Sequence, residues 1–176
     1  MPWSLELDSI SVDRLVQQLG LQPHPEGGWY REFHRSGVSV QRSDGERRAG
    51  LTQILFLLPA GGLSRWHRVL GADEAWHFVA GDPLELWILP PQGGVAACRW
   101  LGPLALPGTA TAAVTSELLT EPVVVVPADW WQAARCPGRW SLVSCCVGPG
   151  FDFRDFELLD QLPPAQHPSG ACSSFL

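Results

Sequence analysis

The chain has 176 residues, of which 45% are hydrophobic and 17% charged, and a formal net charge of -6. This balance is typical of a folded domain rather than a disordered chain, and the length fits one domain. The sequence contains no lysine, which excludes Schiff-base catalysis, a pyridoxal phosphate cofactor and a lysine-dependent nucleotide loop. The scattered arginines form no basic stripe, so we expect no nucleic-acid partner.

The sequence also shows no sign of a membrane or secretory segment. No apolar run approaches the roughly eighteen residues of a membrane span, and "MPWSLELDSI" lacks the basic start and apolar stretch of a signal peptide. The five cysteines are an odd number without a C-x-x-C pair, which is typical of free thiols. We therefore expect a cytoplasmic protein without a membrane partner.

The first elements in chain order are a lead-in and a short helix within residues 1–20. Over residues 9–20 the apolar positions follow a helical stripe, Ser11 can cap the start and Gly20 can end it. The polar, glycine-containing segment 41–50, "QRSDGERRAG", indicates a mobile surface loop.

Short apolar strands alternate with turns from Leu51 onward, which predicts an all-β sandwich or barrel spanning residues 21–160. The tail, residues 161–176, is rich in proline and serine, and its composition indicates an edge segment or disorder.

The densest group of side chains suited to catalysis or ligand binding lies in residues 61–81, "GGLSRWHRVLGADEAWHFVAG". Strict strand alternation predicts one inward face that combines apolar walls with acid–base groups, formed by Arg65, His67, Glu74, Trp76 and Phe78. On this prediction His67 meets Glu74 inside the domain. Such a buried pair is suited to acid–base chemistry, and it is equally suited to holding two strands together.

A second candidate group is the bent segment "PHPEGGWY", residues 23–30. Its prolines and glycines predict a turn that brings the backbone close to another element. Glu26 and Tyr30, the sole tyrosine, could then reach a pocket mouth, or the segment could serve only as a turn. We expect no role for His24, which falls in this loop.

The segment 61–81 resembles the first motif of the cupins, G(x)5HxH(x)4E(x)6G. Gly61, His67, Glu74 and Gly81 match it with correct spacing, whereas Val69 stands at the second histidine.

The second cupin motif, G(x)5PxG(x)2H(x)3N, aligns on Pro127, but Gln132 stands in place of its histidine. The spacing predicts that Gln132 faces inward together with Trp130. His67, Glu74 and Gln132 could hold one divalent metal ion weakly, although such sites prefer more imidazole or carboxylate ligands.

Four blocks of the chain resemble one uncharacterised branch, cupin family five, with a domain-of-unknown-function label. They are "LQPHPEGGWYRE", "LSRWHRVLGADEAWHFVAGDPLEL", "VVPADWWQA" and "LVSCCVGPGFDFRDFEL". The resemblance implies a single-domain jelly-roll β-barrel with a ligand pocket, and a homodimer.

Our leading hypothesis is that the pocket binds a small polar metabolite, sugar-like or acidic, with isomerase- or epimerase-like chemistry. His67 would act as acid or base, Glu74 would orient it, and Arg65 would bind an anionic group or a developing oxyanion. Two alternatives remain open: a metal-dependent enzyme such as an oxygenase, and a non-catalytic sensor or binding protein.

Overall fold

The computed structural model describes residues 10–104 and 119–176; residues 1–9, the start of the predicted lead-in, lie outside it. Within these ranges one α-helix, α1 (Val12–Leu19), precedes the strands. The strands are β1 (Gln22–Pro23), β2 (Trp29–Arg35), β3 (Ser39–Gln41), β4 (Arg47–Ala49), β5 (Thr52–Pro59), β6 (Leu63–Val69), β7 (Asp73–Gly81), β8 (Leu84–Leu89), β9 (Ala97–Leu101), β10 (Val123–Val126), β11 (Trp131–Arg135), β12 (Trp140–Gly148) and β13 (Phe156–Leu158). The prediction of an all-β domain with a short N-terminal helix is confirmed.

The helix α1 forms as its sequence predicts. The Ser11 side chain accepts a hydrogen bond from the backbone N–H of Arg14, and Gly20 ends the helix with φ 62°, a left-handed conformation that favours glycine. Leu15 is buried against the apolar outer side of the larger sheet, next to Leu57 and Trp140. Among the described residues, no helix has both the length and the apolar character needed to cross a membrane.

Two large antiparallel sheets form the body of the domain, and β3 and β4 form a separate two-stranded sheet. One large sheet has the order β1-β2-β5-β12-β7-β10 and the other the order β13-β6-β11-β8-β9. A core of apolar side chains fills the space between them, among them Phe56, Leu58, Trp76, Leu86 and Val143. Alternation along β12 places Cys145 in this core and leaves Cys146 partly exposed, as expected for neighbours on a strand.

The two strands of the segment 61–81 do not pair with each other. β6 belongs to the five-stranded sheet and β7 to the six-stranded sheet, so the inner faces of the two strands lie opposite each other across the interior. Residues from both strands can therefore line one internal site.

The segment 41–50 is not the simple loop that its composition indicates. β3 and β4 pair as a hairpin. Arg48 is buried and donates to Asp155, with Nε–Oδ2 and Nη2–Oδ1 distances of 2.6 and 2.8 Å. Composition could not reveal this, because the partner of Arg48 lies 107 residues further along the chain.

The C-terminal tail packs on the outer face of the five-stranded sheet. Phe175 is only 2% exposed and lies in edge-to-face contact with Trp66, whose indole N–H donates to the carbonyl of Cys172. The tail thus covers aromatic surface that the sheet would otherwise expose to water, which favours its docking.

Candidate functional site

An internal cavity of about 480 Å³ lies between the two sheets and opens to solvent. Its walls come from β2, β5, β6, β7 and β12 and from the segment that precedes β13. Apolar and aromatic side chains make up about half of the lining, including Ile54, Phe56, Val69, Trp76, Val147, Phe151, Phe153 and Phe156. The lining residues with ionisable groups are His24, Glu26, Tyr30, Arg31, Glu32, Arg35, His67, Glu74, Cys145 and Asp152.

Glu26 is the centre of a polar cluster in this cavity. Its Oε2 lies 3.2 Å from Nε2 of His67 and 3.3 Å from Nδ1 of His24. Its Oε1 accepts a hydrogen bond of 2.8 Å from the Ser64 hydroxyl. Glu26 is 5% exposed and His67 1%, so these contacts form almost entirely out of water.

The turn before β2 carries Glu26 into the interior. The backbone N–H of Arg65 donates to the carbonyl of Glu26, which ties the turn to β6. Gly27 has φ 114°, and a Cβ there would lie 2.1 Å from the carbonyl oxygen of Leu63. Only glycine allows this approach, so the expectation that the turn brings backbone close to another element is confirmed.

An irregularity in β6 decides which of its side chains reach the cluster. Gln132 of β11 pairs with His67, whereas Ala134 pairs with Ser64, so β6 contains one extra residue in this interval. Ser64 and His67 therefore both face Glu26. Strict alternation placed Ser64 on the opposite face, and the sequence analysis missed it for this reason.

Glu74 forms a second polar chain on the facing sheet. Its Oε2 accepts a 2.6 Å hydrogen bond from Nε2 of Gln132. The Oε1 of Gln132 accepts a 2.9 Å hydrogen bond from the indole N–H of Trp76. Both ends of the Gln132 amide are thereby occupied, and the carboxyl group of Glu74 is held in position.

The two buried carboxyl groups have pKa values displaced in opposite directions. Burial alone raises the pKa of Glu26, but the charges of His67 and His24, with hydrogen bonds from His24 and Ser64, more than offset it and leave the pKa below 4.5. Burial raises the pKa of Glu74 above 4.5; His67 and Gln132 oppose this only in part, and the charge of Glu26 adds to it. Relative to an ordinary glutamate, Glu26 is thus shifted toward the ionised form and Glu74 toward the protonated form.

Cys145 is a neutral neighbour of Glu74. Burial, followed by the charges of Glu74 and Glu26, raises the pKa of the Cys145 thiol well above 9.0. The thiol hydrogen-bonds Glu74 and stays protonated, which does not suit it to act as a nucleophile.

The cavity is lined by five of the residues that the sequence analysis assigned to the site, namely Glu26, Tyr30, His67, Glu74 and Trp76. The predicted pairing differs, because the carboxylate in contact with His67 is Glu26 rather than Glu74. Glu26 belongs to the turn before β2. The prediction from strand alternation considered only residues 61–81 and so did not include this turn.

Arg65 does not face the cavity, so its prediction as an inward oxyanion donor is wrong. The extra residue in β6 turns it outward, where it pairs with Asp160 and donates to the carbonyl of Pro25.

Phe78 lies beyond Trp76 on β7 and packs in the apolar core instead of the cavity wall.

Gln132 and Trp130 also lie outside the cavity lining, although Gln132 faces inward as predicted and contacts Glu74. Trp130 belongs to a turn, since its backbone N–H donates to the carbonyl of Pro127 and the preceding Asp129 has φ 68°. Alternation along β11 therefore starts only after Trp130, and this residue packs against the core.

His24 is the functional candidate that the sequence analysis set aside. A histidine in a loop carries no periodic signal, and only the folding of the turn onto β6 brings it to Glu26. Its spacing of two from Glu26 was visible in the sequence, but the contact of both residues with His67 across the turn was not.

The residues present do not fit the divalent metal ion considered in the sequence analysis. Among the described residues, no three or more His, Cys, Asp or Glu side chains are grouped so that they could bind one ion. Gln132 uses its amide oxygen for Trp76, and His67 uses Nδ1 for the carbonyl of Arg65 at 2.8 Å. In the predicted set of His67, Glu74 and Gln132, the imidazole and the amide oxygen are thus already engaged by protein groups.

Sequence comparison identifies the family of this chain. The profile described as Cupin superfamily (DUF985) matches residues 13–159. The chain belongs to this cupin family. No curated protein matches the chain significantly.

Solved structures agree with this assignment. A protein from Shewanella oneidensis is 33% identical, with a TM-score of 0.70 over 85% of this chain and 84% of that one. A hypothetical protein from Leishmania major is 32% identical, with a TM-score of 0.69 over 84% and 86% of the two chains. The capsular polysaccharide assembling protein CapF from Staphylococcus aureus is 13% identical, with a TM-score of 0.53 over 78% of this cupin and 33% of CapF, which shows a shared fold alone.

Proposed function

We propose that the cavity of this cupin binds a small polar metabolite with a carbonyl group and transfers a proton on it by acid–base catalysis. The volume of about 480 Å³ lies within the range of small-molecule sites, roughly 300–1,000 Å³. Aromatic walls with a few buried polar groups suit a compact ligand that is partly apolar and partly hydroxylated or oxidised, such as a sugar derivative.

The observation that carries the proposal is the pair of buried carboxyl groups in one cavity. Glu26 contacts two histidines, whereas Glu74 contacts the amide of Gln132. Environments that separate the pKa values of two neighbouring carboxyl groups are the usual means of obtaining an acid and a base at one pH. The cluster around Glu26 would accept a proton, and Glu74, whose raised pKa favours its protonated form, would donate one.

Tyr30 supports ligand binding in the same cavity. Tyr30 lines the cavity, and its hydroxyl has no hydrogen-bond partner among the described residues. In the same part of the chain, every side-chain oxygen or nitrogen that is fully buried has a partner, so an unpartnered hydroxyl cannot be fully buried. The hydroxyl is therefore accessible from the cavity and would donate to a ligand oxygen.

Solvent exchange tests the proposal directly. The protein is incubated in D₂O with a panel of aldoses, ketoses and 2-oxo acids, and NMR detects deuterium at the carbon next to each carbonyl. We expect exchange with at least one compound class and its loss in His67→Gln, while His34→Gln, altered at an exposed histidine of β2, retains it. Binding of a panel compound without exchange would instead indicate a non-catalytic binding protein.

A further inference from the structure

The ring of His24 is held in one orientation by its surroundings. It packs edge-to-face on Tyr30, with ring centroids 4.5 Å apart, and also edge-to-face on Phe56 and Phe156 at 5.9 and 5.7 Å. The backbone N–H of His24 donates to the carbonyl of Gly28, which closes the turn before β2. A polar group fixed in this way needs little reorganisation when a ligand binds.

Nδ1 of His24 is occupied by Glu26. The backbone N–H of Glu26 donates to Nδ1 at 3.4 Å, and Oε2 of the same residue lies 3.3 Å from Nδ1. In the neutral ring Nδ1 accepts the N–H, so the proton of that ring is on Nε2. In the charged ring both nitrogens carry a proton, and Nδ1–H is then available to the carboxylate. Nε2 therefore carries a proton in either state and acts as a hydrogen-bond donor.

Nε2 of His24 is accessible to a ligand. It has no hydrogen-bond partner among the described residues, in which every fully buried side-chain nitrogen has one, so Nε2 is not fully buried. The His24 side chain is only 7% exposed and lines the cavity, so a ligand reaches Nε2 through the cavity. A donor in a largely dry site interacts strongly with negative charge that develops on a ligand.

We propose that His24 donates a hydrogen bond from Nε2 to the carbonyl oxygen of the ligand, a role that rests on the proposed proton-transfer function. As the cluster around Glu26 takes the proton from the carbon next to the carbonyl, the C–H electron pair becomes the carbon–carbon double bond of an enolate. The carbonyl oxygen takes the negative charge. The Nε2–H bond does not break, and its hydrogen bond strengthens as this charge develops. Return of the proton to the carbon restores the carbonyl compound, so no oxidant or reductant is needed.

Tyr30 supplies a second donor next to His24. Its unpartnered hydroxyl belongs to the ring that packs against His24, and both residues line the cavity. A carbonyl compound with a further oxygen on the neighbouring carbon, as in sugars and 2-oxo acids, can accept hydrogen bonds from both groups. The two donors therefore favour this class of ligand over a simple aldehyde or ketone.

Nitrogen NMR of the wild-type protein tests the donor without a substrate. In ¹⁵N-labelled protein the chemical shifts of the histidine rings separate protonated from unprotonated nitrogens, and His24→Gln identifies the His24 signals by their disappearance. We expect Nε2 of His24 to be protonated. An unprotonated Nε2 together with a protonated Nδ1 would overturn the assignment.

Proton exchange with the panel compounds then tests the catalytic role. His24→Phe keeps an aromatic ring but has no donor, and it should lower the turnover number for deuterium incorporation about 100- to 1,000-fold, the usual cost of removing one oxyanion donor, while KM changes little. His24→Gln, whose amide retains an N–H donor, should lose less. His34→Phe, at an exposed histidine of β2, is the matched control, and thermal melting checks that each variant folds.

The outcomes separate the role of His24 from the proposed function. Undiminished exchange by His24→Phe, or an equal loss in His24→Phe and His24→Gln, would refute the donor role and leave the proposed function standing. No exchange by the wild-type protein with any panel compound would refute both.

Discussion

The two buried carboxyl groups should respond to neutralisation with opposite changes in stability. Glu26→Gln removes the negative charge that faces His67 and His24, and Glu74→Gln removes a carboxyl group whose ionised form is disfavoured in the fold by burial and by Glu26. Both substitutions preserve side-chain size, and each glutamine retains an oxygen that can accept the hydrogen bond made in the wild type, from Ser64 or from Gln132. We therefore expect Glu26→Gln to destabilise the fold and Glu74→Gln to stabilise it at neutral pH.

The magnitude for Glu26 follows from its burial. Removing one partner of a buried ion pair costs about 3–5 kcal/mol, because the other charge stays buried without compensation. At about 2–4 °C per kcal/mol for a domain of this size, the melting temperature should fall by about 6–20 °C. Glu26 is only 5% exposed, so solvent screening reduces this cost little.

The pH dependence of the two effects also differs. The folded-state pKa of Glu26 is depressed. Its contribution to the free energy of unfolding is therefore present above the unfolded pKa of 4.5 and is lost as pH falls through the folded pKa. The folded-state pKa of Glu74 is raised. Its contribution to the free energy of unfolding is therefore present below the unfolded pKa of 4.5 and is lost as pH rises through the folded pKa.

Thermal melts of the wild type and both variants at about pH 4 and about pH 8 measure these differences. We expect the stabilisation by Glu74→Gln to be present at the higher pH and nearly absent at the lower pH. A decrease in melting temperature for both variants at the higher pH would contradict the assigned ionisation states.

Four further predictions concern the cavity, its supports and assembly. Phe175→Ala should cost about 3–5 kcal/mol in a urea unfolding curve, because it leaves a cavity against Trp66; an unchanged midpoint would contradict the docked tail. Gly27→Ala should destabilise by more than about 1 kcal/mol, since its Cβ would collide with the carbonyl of Leu63, whereas Gly45→Ala, with open space around it, should cost less in the same assay. Tyr30→Phe should weaken binding of a panel compound by about 0.5–1.5 kcal/mol in calorimetry, and equal affinity would exclude a hydrogen bond from its hydroxyl. We also expect a homodimer, which a monomer mass in solution scattering would contradict.

The sequence predicted most of the fold because its signals are local. The capping residues Ser11 and Gly20 mark the ends of α1, and regularly spaced turn residues mark the strands. The hairpin β3–β4 was missed because polar composition indicates a loop, whereas the buried contact of Arg48 with Asp155 depends on distant parts of the chain.

The candidate site was predicted only in part because its geometry is not local. Spacing identified His67 and Glu74, and the bent turn identified Glu26 and Tyr30 as cavity residues. Strict alternation failed in β6, where one extra residue turns Arg65 outward and brings Ser64 to Glu26. His24 could not be recognised without the fold, because its role depends on where the turn docks.

The most direct measurement of the central claim is solvent-deuterium incorporation by protein freed of metal with a chelator, with and without added Mn²⁺, Fe²⁺ or Zn²⁺. The proposed acid–base site predicts that exchange with the active panel compound persists without metal and is lost in His67→Gln. Exchange that disappears with the chelator and returns only with one of these ions would contradict the claim and assign the chemistry to a metal centre.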